Sequence, residues 1–271
     1  MKRLKINQLK LSALVLATVL SGFAAAQVPT GLYPNKTDSL GKQGAWKKTD
    51  DQGTCVYVGQ FKNDKPYGIF QYFDTQGYLM TEMNFFSGGN VQYAKMYYQN
   101  GKMQAQGKYL NQKKDSLWSF YDDLGELLSE EWYKDGLKNG KSITYHPGTK
   151  QPAEVKTFKN GLEEGAWIQY YADGKIKGQG TYVAGNYEGK ATWYYPDGST
   201  NITGFYQHAV KNGTWLYYDE TGKLKGKETW VNGKLTSEET VIKKADFDKQ
   251  VQDDDDPATQ GQDPNDGTGG N

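Results

Sequence analysis

A motif of about 24 residues recurs eight times in this chain, and a repeat of that length dictates architecture before any single residue does. Aligned on its first position, the motif begins at Gly44, Gly68, Tyr93, Ser116, Gly140, Gly165, Gly189 and Gly213, in nearly even steps. At offset two comes an aromatic in most copies: Trp46, Phe70, Trp118, Trp167 and Trp215. A Tyr-rich pair follows, as in Tyr170–Tyr171, Tyr194–Tyr195 and Tyr217–Tyr218, and then a turn such as "ADG", "PDG" or "ETG". A second run carries another aromatic near offset seventeen: Phe61, Phe85, Tyr109, Trp132, Phe158, Tyr182, Phe205 and Trp230. It closes on "KNG" or "VNG". Strand, turn, strand, turn makes each copy a β-hairpin, with Asp-Gly expected to form a two-residue type I′ turn.

Side chains two apart on a strand share a face, so offsets two and four point one way and offset five the other. Repetition then lays aromatic ladders along one continuous antiparallel sheet. The first-position glycine is expected to leave room for a ring lying against the backbone. Sixteen strands predict a ribbon on the order of 75 Å long. The expected fold is all-β: an elongated, single-layer antiparallel sheet of about eight tandem hairpins. Composition agrees, because 21 Tyr and 33 Gly with only 36% hydrophobic residues suit a thin sheet better than a deep core.

The stretch "YVGQFKNDKPYGIFQYFDTQG", Tyr57 to Gly77, resembles a MORN repeat in the bacterial form of YwqK-like proteins. Tyr57, Gly59, Phe61, Asn63, Asp64, Lys65, Gly68, Phe70 and Gly77 carry the resemblance, which extends over about residues 44–234. It implies a repeat scaffold and brings no catalytic residues. Some bacterial members are labelled antitoxins, a cytoplasmic role at odds with an exported chain.

Outside the repeats, "MKRLKINQLK" is basic and Leu11–Ala26 is apolar, ending in small residues before Gln27. That is the pattern of a cleaved export signal, 1–26, placing the chain in the periplasm or outside the cell. Residues 27–43 read as an N-terminal cap or linker, and 235–250 as a C-terminal cap, either a short helix or a last strand. In that second cap, Thr236 and Glu239 have capping-box spacing. Residues 251–271 read as a disordered acidic tail, rich in Asp, Gly and Pro. Removing the basic start and the acidic end leaves the repeats near neutral. That argues against nucleic acid and supplies little attraction to an anionic membrane.

No catalytic motif emerges. "DGLKNGKS" at Asp135–Ser142 is one residue short of a phosphate-binding loop and falls at a repeat junction. His146 and His208 form no metal-ligand pair, and lone Cys55 reads as a small strand residue. Adjacent acids Glu130–Glu131, Glu163–Glu164 and Glu238–Glu239 should point to opposite faces and cannot flank one bond. The expectation is a non-enzymatic scaffold, without cofactor or metal, that binds a protein or peptide partner along an aromatic-rich sheet. The alternative is a choline- or glucan-type cell-wall module, with rings caging a cation or stacking on sugar. Candidate ligand-contacting residues are Trp46, Phe70, Trp118, Trp167, Trp193, Trp215 and Tyr217, although most such rings should simply hold the ribbon together.

Overall fold

In the computed structural model, residues 29–240 are described; the export-signal reading and the acidic tail lie outside them. Nineteen strands occur among the described residues, in one open antiparallel sheet. The first six are β1 (Lys36–Asp38), β2 (Gly41–Thr49), β3 (Cys55–Lys62), β4 (Lys65–Phe73), β5 (Leu79–Phe86) and β6 (Val91–Tyr97). Next come β7 (Met103–Leu110), β8 (Lys113–Tyr121), β9 (Leu127–Lys134), β10 (Leu137–Tyr145), β11 (Pro152–Lys159) and β12 (Leu162–Tyr170). The last are β13 (Ile176–Val183), β14 (Asn186–Tyr187), β15 (Gly189–Tyr194), β16 (Thr200–Gln207), β17 (Val210–Tyr218), β18 (Leu224–Val231) and β19 (Lys234–Thr240). Each strand pairs with its neighbours in sequence, so the sheet is a meander. Strands β14 and β15 are one strand interrupted at Glu188, and both pair with β13. Thr236 and Glu239 lie on a strand, not at a helix start.

The two kinds of turn lie on opposite rims, and they divide differently from the expectation. Two-residue type I′ turns occur at the Asn-Gly-like positions. Asn160 and Gly161 have φ of 52° and 88° between the paired residues Lys159 and Leu162. The Asp-Gly turns are instead three-residue loops. Gly174 N donates to Tyr171 O and Tyr171 N to Lys175 O, with only Gly174 left-handed. The extra residue makes a type I turn followed by a left-handed glycine, a bulged hairpin end. In the copies that begin with Asp, its carboxylate closes the loop: Asp219 Oδ1 accepts from Thr221 N and Lys223 N.

Both rims tie each repeat to the next. At the type I′ rim, Gly161 N donates to Lys138 O, Gly185 N to Glu163 O and Gly233 N to Lys211 O. At the other rim, Tyr171 Oη donates to Tyr194 O and Tyr195 Oη to Tyr218 O, at 2.6 and 2.8 Å. His146 takes the tyrosine's place, with Nε2 3.0 Å from Tyr170 O. These rungs couple hairpins that would be marginal alone, so the stack folds as a unit.

Turn hydrogen bonds also hold carboxyls below their ordinary range, from the Thr221 hydroxyl at Asp219 and the Ser199 hydroxyl at Asp197. A depressed folded-state pKa gives stability that is present above the ordinary value near 4 and lost as pH falls through the folded one. Tm is therefore expected to drop as pH falls from about 5 to about 3. Asn100 closes the same position of its own turn through Oδ1 that Asp197 does, so Asp197→Asn should keep the geometry while flattening part of that acid limb in a thermal melt.

Candidate functional site

The sheet has a packed face and an open face, and glycine decides which is which. On the packed face, Trp118 lies directly over Gly107, where an added Cβ would sit 2.2 Å from the indole. Tyr109 meets that indole edge-on at 4.9 Å, and Nε1 donates to Lys108 O. Lys114 Nζ covers the remaining face at 4.6 Å from the ring centroid. Four repeats further on the cell recurs: Trp215 over Gly204, Tyr206 edge-on at 5.0 Å, Lys211 Nζ at 4.5 Å. Phe70 over Gly59, with Phe61 edge-on at 5.2 Å, is the same cell without the lysine. Burial among these rings lowers the ammonium pKa of Lys114.

The expectation that the first-position glycine seats a ring is therefore corrected. A Cβ at Gly44, Gly68, Gly165, Gly189 or Gly213 meets nothing within 4 Å. Those glycines serve the left-handed backbone of a bulge, φ +72° at Gly44 and Gly213. The ring seats are the glycines of the preceding strand, such as Gly59, Gly107 and Gly204.

Most of the rings singled out from sequence are closed to ligand. Trp118 and Trp167 are 0% exposed, Trp215 is 1%, and Phe70 and Tyr217 are also buried, while Trp46 and Trp193 are half-buried. Trp193 seats on Gly178, and Trp167 donates its indole N–H to Glu154. Lys42, Lys114 and Lys211 already occupy the position a bound ammonium would take over Trp46, Trp118 and Trp215. The ladder is interrupted at β9–β11, where the register Glu131–Ser142 continues to Lys156. There charge pairing replaces rings: Lys138 Nζ lies 2.8 Å from Glu131, and Lys156 Nζ 3.3 Å from Glu154.

The open face was only partly legible. Trp132 and Phe205, assigned from sequence to the second aromatic series, are displaced from it by one position. Tyr133 and Tyr206 hold the packed-face place, under Lys114 and beside Trp215 respectively. A shift of one flips a strand residue to the other side. Trp132 thus stands 48% exposed on the open face, paired across the ladder with Leu117. Ile69, Phe86 and Tyr93, all exposed, share that face on β4–β6, with Phe86 and Tyr93 edge to face at 5.8 Å. The signal that finds Trp132 is parity. Its offset within the repeat is sixteen, whereas Phe61, Phe85, Tyr182 and Trp230 stand at seventeen, as does packed-face Tyr109 once its copy is counted from Gln92, the residue opposite it in the ladder.

The offset-five residues form a second ladder on the open face, Phe73, Tyr121, Tyr145, Tyr170, Tyr194 and Tyr218, which Tyr97 joins when its copy is counted from Gln92. Several phenols meet a side chain from the strand before. Gln106 Nε2 donates to Tyr121 Oη, Gln179 Nε2 to Tyr194 Oη, and Tyr145 Oη donates to Glu130. Where the ring is Phe73, the residue at the corresponding place is Val58, and both are buried. Glu130 on the open face and Glu131 on the packed face turn away from each other, as adjacent strand residues must. "DGLKNGKS" is a type I′ turn running into β10, without the helix a phosphate loop requires. Among the described residues no three His, Cys, Asp or Glu side chains gather as metal ligands.

No curated protein matches the chain. The crystal structure of TarM overlaps it at 12% identity and TM-score 0.27, covering 44% of this chain and 22% of that one. The TcdB2-TccC3-Cdc42 crystal structure overlaps at 12% identity and TM-score 0.16, covering 73% of this chain and 15% of that one. The chain thus spans less than a quarter of either. The MORN repeat variant family model matches at residues 93–111, 163–184, 187–208 and 211–232. Four segments of the chain thus match the MORN repeat variant, and the same glycine-seated hairpin recurs outside them.

Proposed function

We propose that this protein is a non-enzymatic repeat scaffold, exported to the periplasm or the exterior, that docks a protein or peptide partner on the open face of its sheet. The carrying observation is Trp132. It is a large, half-exposed ring beside exposed Leu117, on the face that also exposes Ile69, Phe86, Tyr93 and Phe205. Exposed Trp clustered with aliphatic and aromatic neighbours is the composition of an interface hot spot. The packed-face ladder does not supply that surface, because its rings are spent on backbone glycine and on lysine. The export reading rests on the basic and apolar stretch at positions 1–26.

The test is a pull-down from envelope and secreted fractions, with purified wall run in parallel. Trp132→Ala is expected to weaken capture of a specific protein by about 2 kcal/mol, roughly thirtyfold. Being half-exposed and outside the packed cells, it should shift stability by only about 0.5 kcal/mol. Capture that survives Trp132→Ala combined with Leu117→Ser would remove this surface from the interface.

A further inference from the structure

The open face changes character toward the C-terminal repeats. Across β12–β17 it forms a groove of about 740 Å³, in which Lys190 is the only charged side chain among the lining residues. Its floor follows one register, Gln179 to Thr192 to Thr203, so an amide and two hydroxyls stand side by side on adjacent strands. The Thr192 and Thr203 hydroxyls bond each other at 3.0 Å, and Thr203 Oγ1 donates to Ala191 O. Thr192 is buried, and Thr181 adds a third hydroxyl at the margin. Tyr194 and Tyr218 stand at the offset-five position of successive repeats, and Gln179 Nε2 fixes the Tyr194 phenol at 2.7 Å. Toward the N-terminus the same register runs through aliphatic Ile168, Val155 and Ile143 before it reaches Glu130, then Lys95 and Glu82, so the polar but uncharged floor is local to this groove.

That lining selects by exclusion. It has no carboxylate for a cation and too little positive charge for a polyphosphate. Ile168 and Ala166 are apolar at one end, but the rest of the floor, Gln179, Thr192 and Thr203, is too polar for an aliphatic chain. Hydroxyl lone pairs, an amide carbonyl and a phenol proton, beside aromatic rings, match a sugar, which presents hydroxyls at its edge and C–H groups on its faces. Two strands separate Tyr194 from Tyr218, about 10 Å at normal strand spacing. In a β-1,4-linked chain each sugar is turned by half a turn from the last, so sugars two apart present the same face, at a spacing comparable to that of the successive rings.

We propose that this groove binds a neutral β-1,4-linked glycan strand, seated on Tyr194 and Tyr218 and hydrogen-bonded to Gln179, Thr181 and Thr203, with buried Thr192 orienting the Thr203 hydroxyl. Binding is without cleavage, because the lining holds no pair of carboxylates to protonate and attack a glycosidic bond. This site is separate from the Trp132 surface and does not rest on it.

Isothermal titration of the purified protein with chitohexaose and cellohexaose, against maltohexaose as the α-linked control, tests it. The expected result is saturable binding of at least one β-1,4 hexasaccharide and none of maltohexaose. Tyr194→Ala should weaken it by about tenfold or more, while Tyr194→Phe retains most of it. Thr192→Val and Thr203→Val, near-isosteric losses of hydroxyl, should also weaken it, and Tyr121→Ala, on the charged part of the ladder, should not. Failure of both β-1,4 hexasaccharides to bind overturns the proposal. So does equal binding of maltohexaose, or affinity unchanged in a Tyr194→Ala protein whose thermal melt shows it folded.

Discussion

Gly107→Ala is expected to destabilise the protein by about 3 kcal/mol, at the upper end for an overpacked core, although it adds a single methyl group. The new Cβ would fall 2.2 Å from the Trp118 ring. That ring is 0% exposed and held by Tyr109, Phe120 and Lys114, so it has nowhere to retreat. Gly204→Ala should match it, since Trp215 stands at the same distance. The contrast is Gly213→Ala, where the added methyl enters open space and only the left-handed backbone objects, at about 1 kcal/mol. Ser116 holds the equivalent position at φ 62°, so a side chain is tolerated there. Urea midpoints order the two classes. A Gly213→Ala protein less stable than Gly107→Ala would reverse the assignment of which glycine seats the ring.

These two glycines also show how far the sequence can be read. The regular period, with aromatics at offsets two, four and five, is sufficient to predict a meander with two unlike faces, because strand alternation is strict. What periodicity cannot supply is the partner across the ladder. Gly107 on β7 and Trp118 on β8 meet only through register, which the bulge at Ser116 sets. The turns misled for a related reason. Asp-Gly is a type I′ signal only when two residues separate the strands. At Tyr171–Gly174 the added residue shifts the glycine to the bulge position. The open-face surface was hidden by one step of phase: Trp132 and Tyr133 are adjacent, and the more conspicuous ring was put in the series that its neighbour fills. The groove at Tyr194 was less legible still, because its floor residues, Gln179, Thr192 and Thr203, form no motif in the chain and meet only through pairing.

The same packing makes alkaline pH the condition the fold should resist least. Burial, followed by the hydrogen bond to Glu130, pushes the Tyr145 phenol up to about 12. Tyr133, Tyr182 and Tyr217 are pushed up further, again by burial first, then by hydrogen bonds involving Glu131, Tyr187 and Glu228. A pKa raised in the folded state means the contribution is fully present below the unfolded value near 10 and is lost as pH climbs through the folded one. For the two most buried phenols, Tyr182 and Tyr217, the loss is about 3 kcal/mol per pH unit above 10, enough to consume a domain's stability within a few units. Phenolate absorbance should therefore rise in two waves: exposed tyrosines near 10, then the rest together with the far-ultraviolet circular dichroism as the sheet unfolds. Tyr217→Phe removes one ionisation that the fold must prevent, and should lessen the steepness of the stability loss above pH 10. A single smooth titration of all tyrosines near 10, with the sheet intact, would show that the rings are not packed as described.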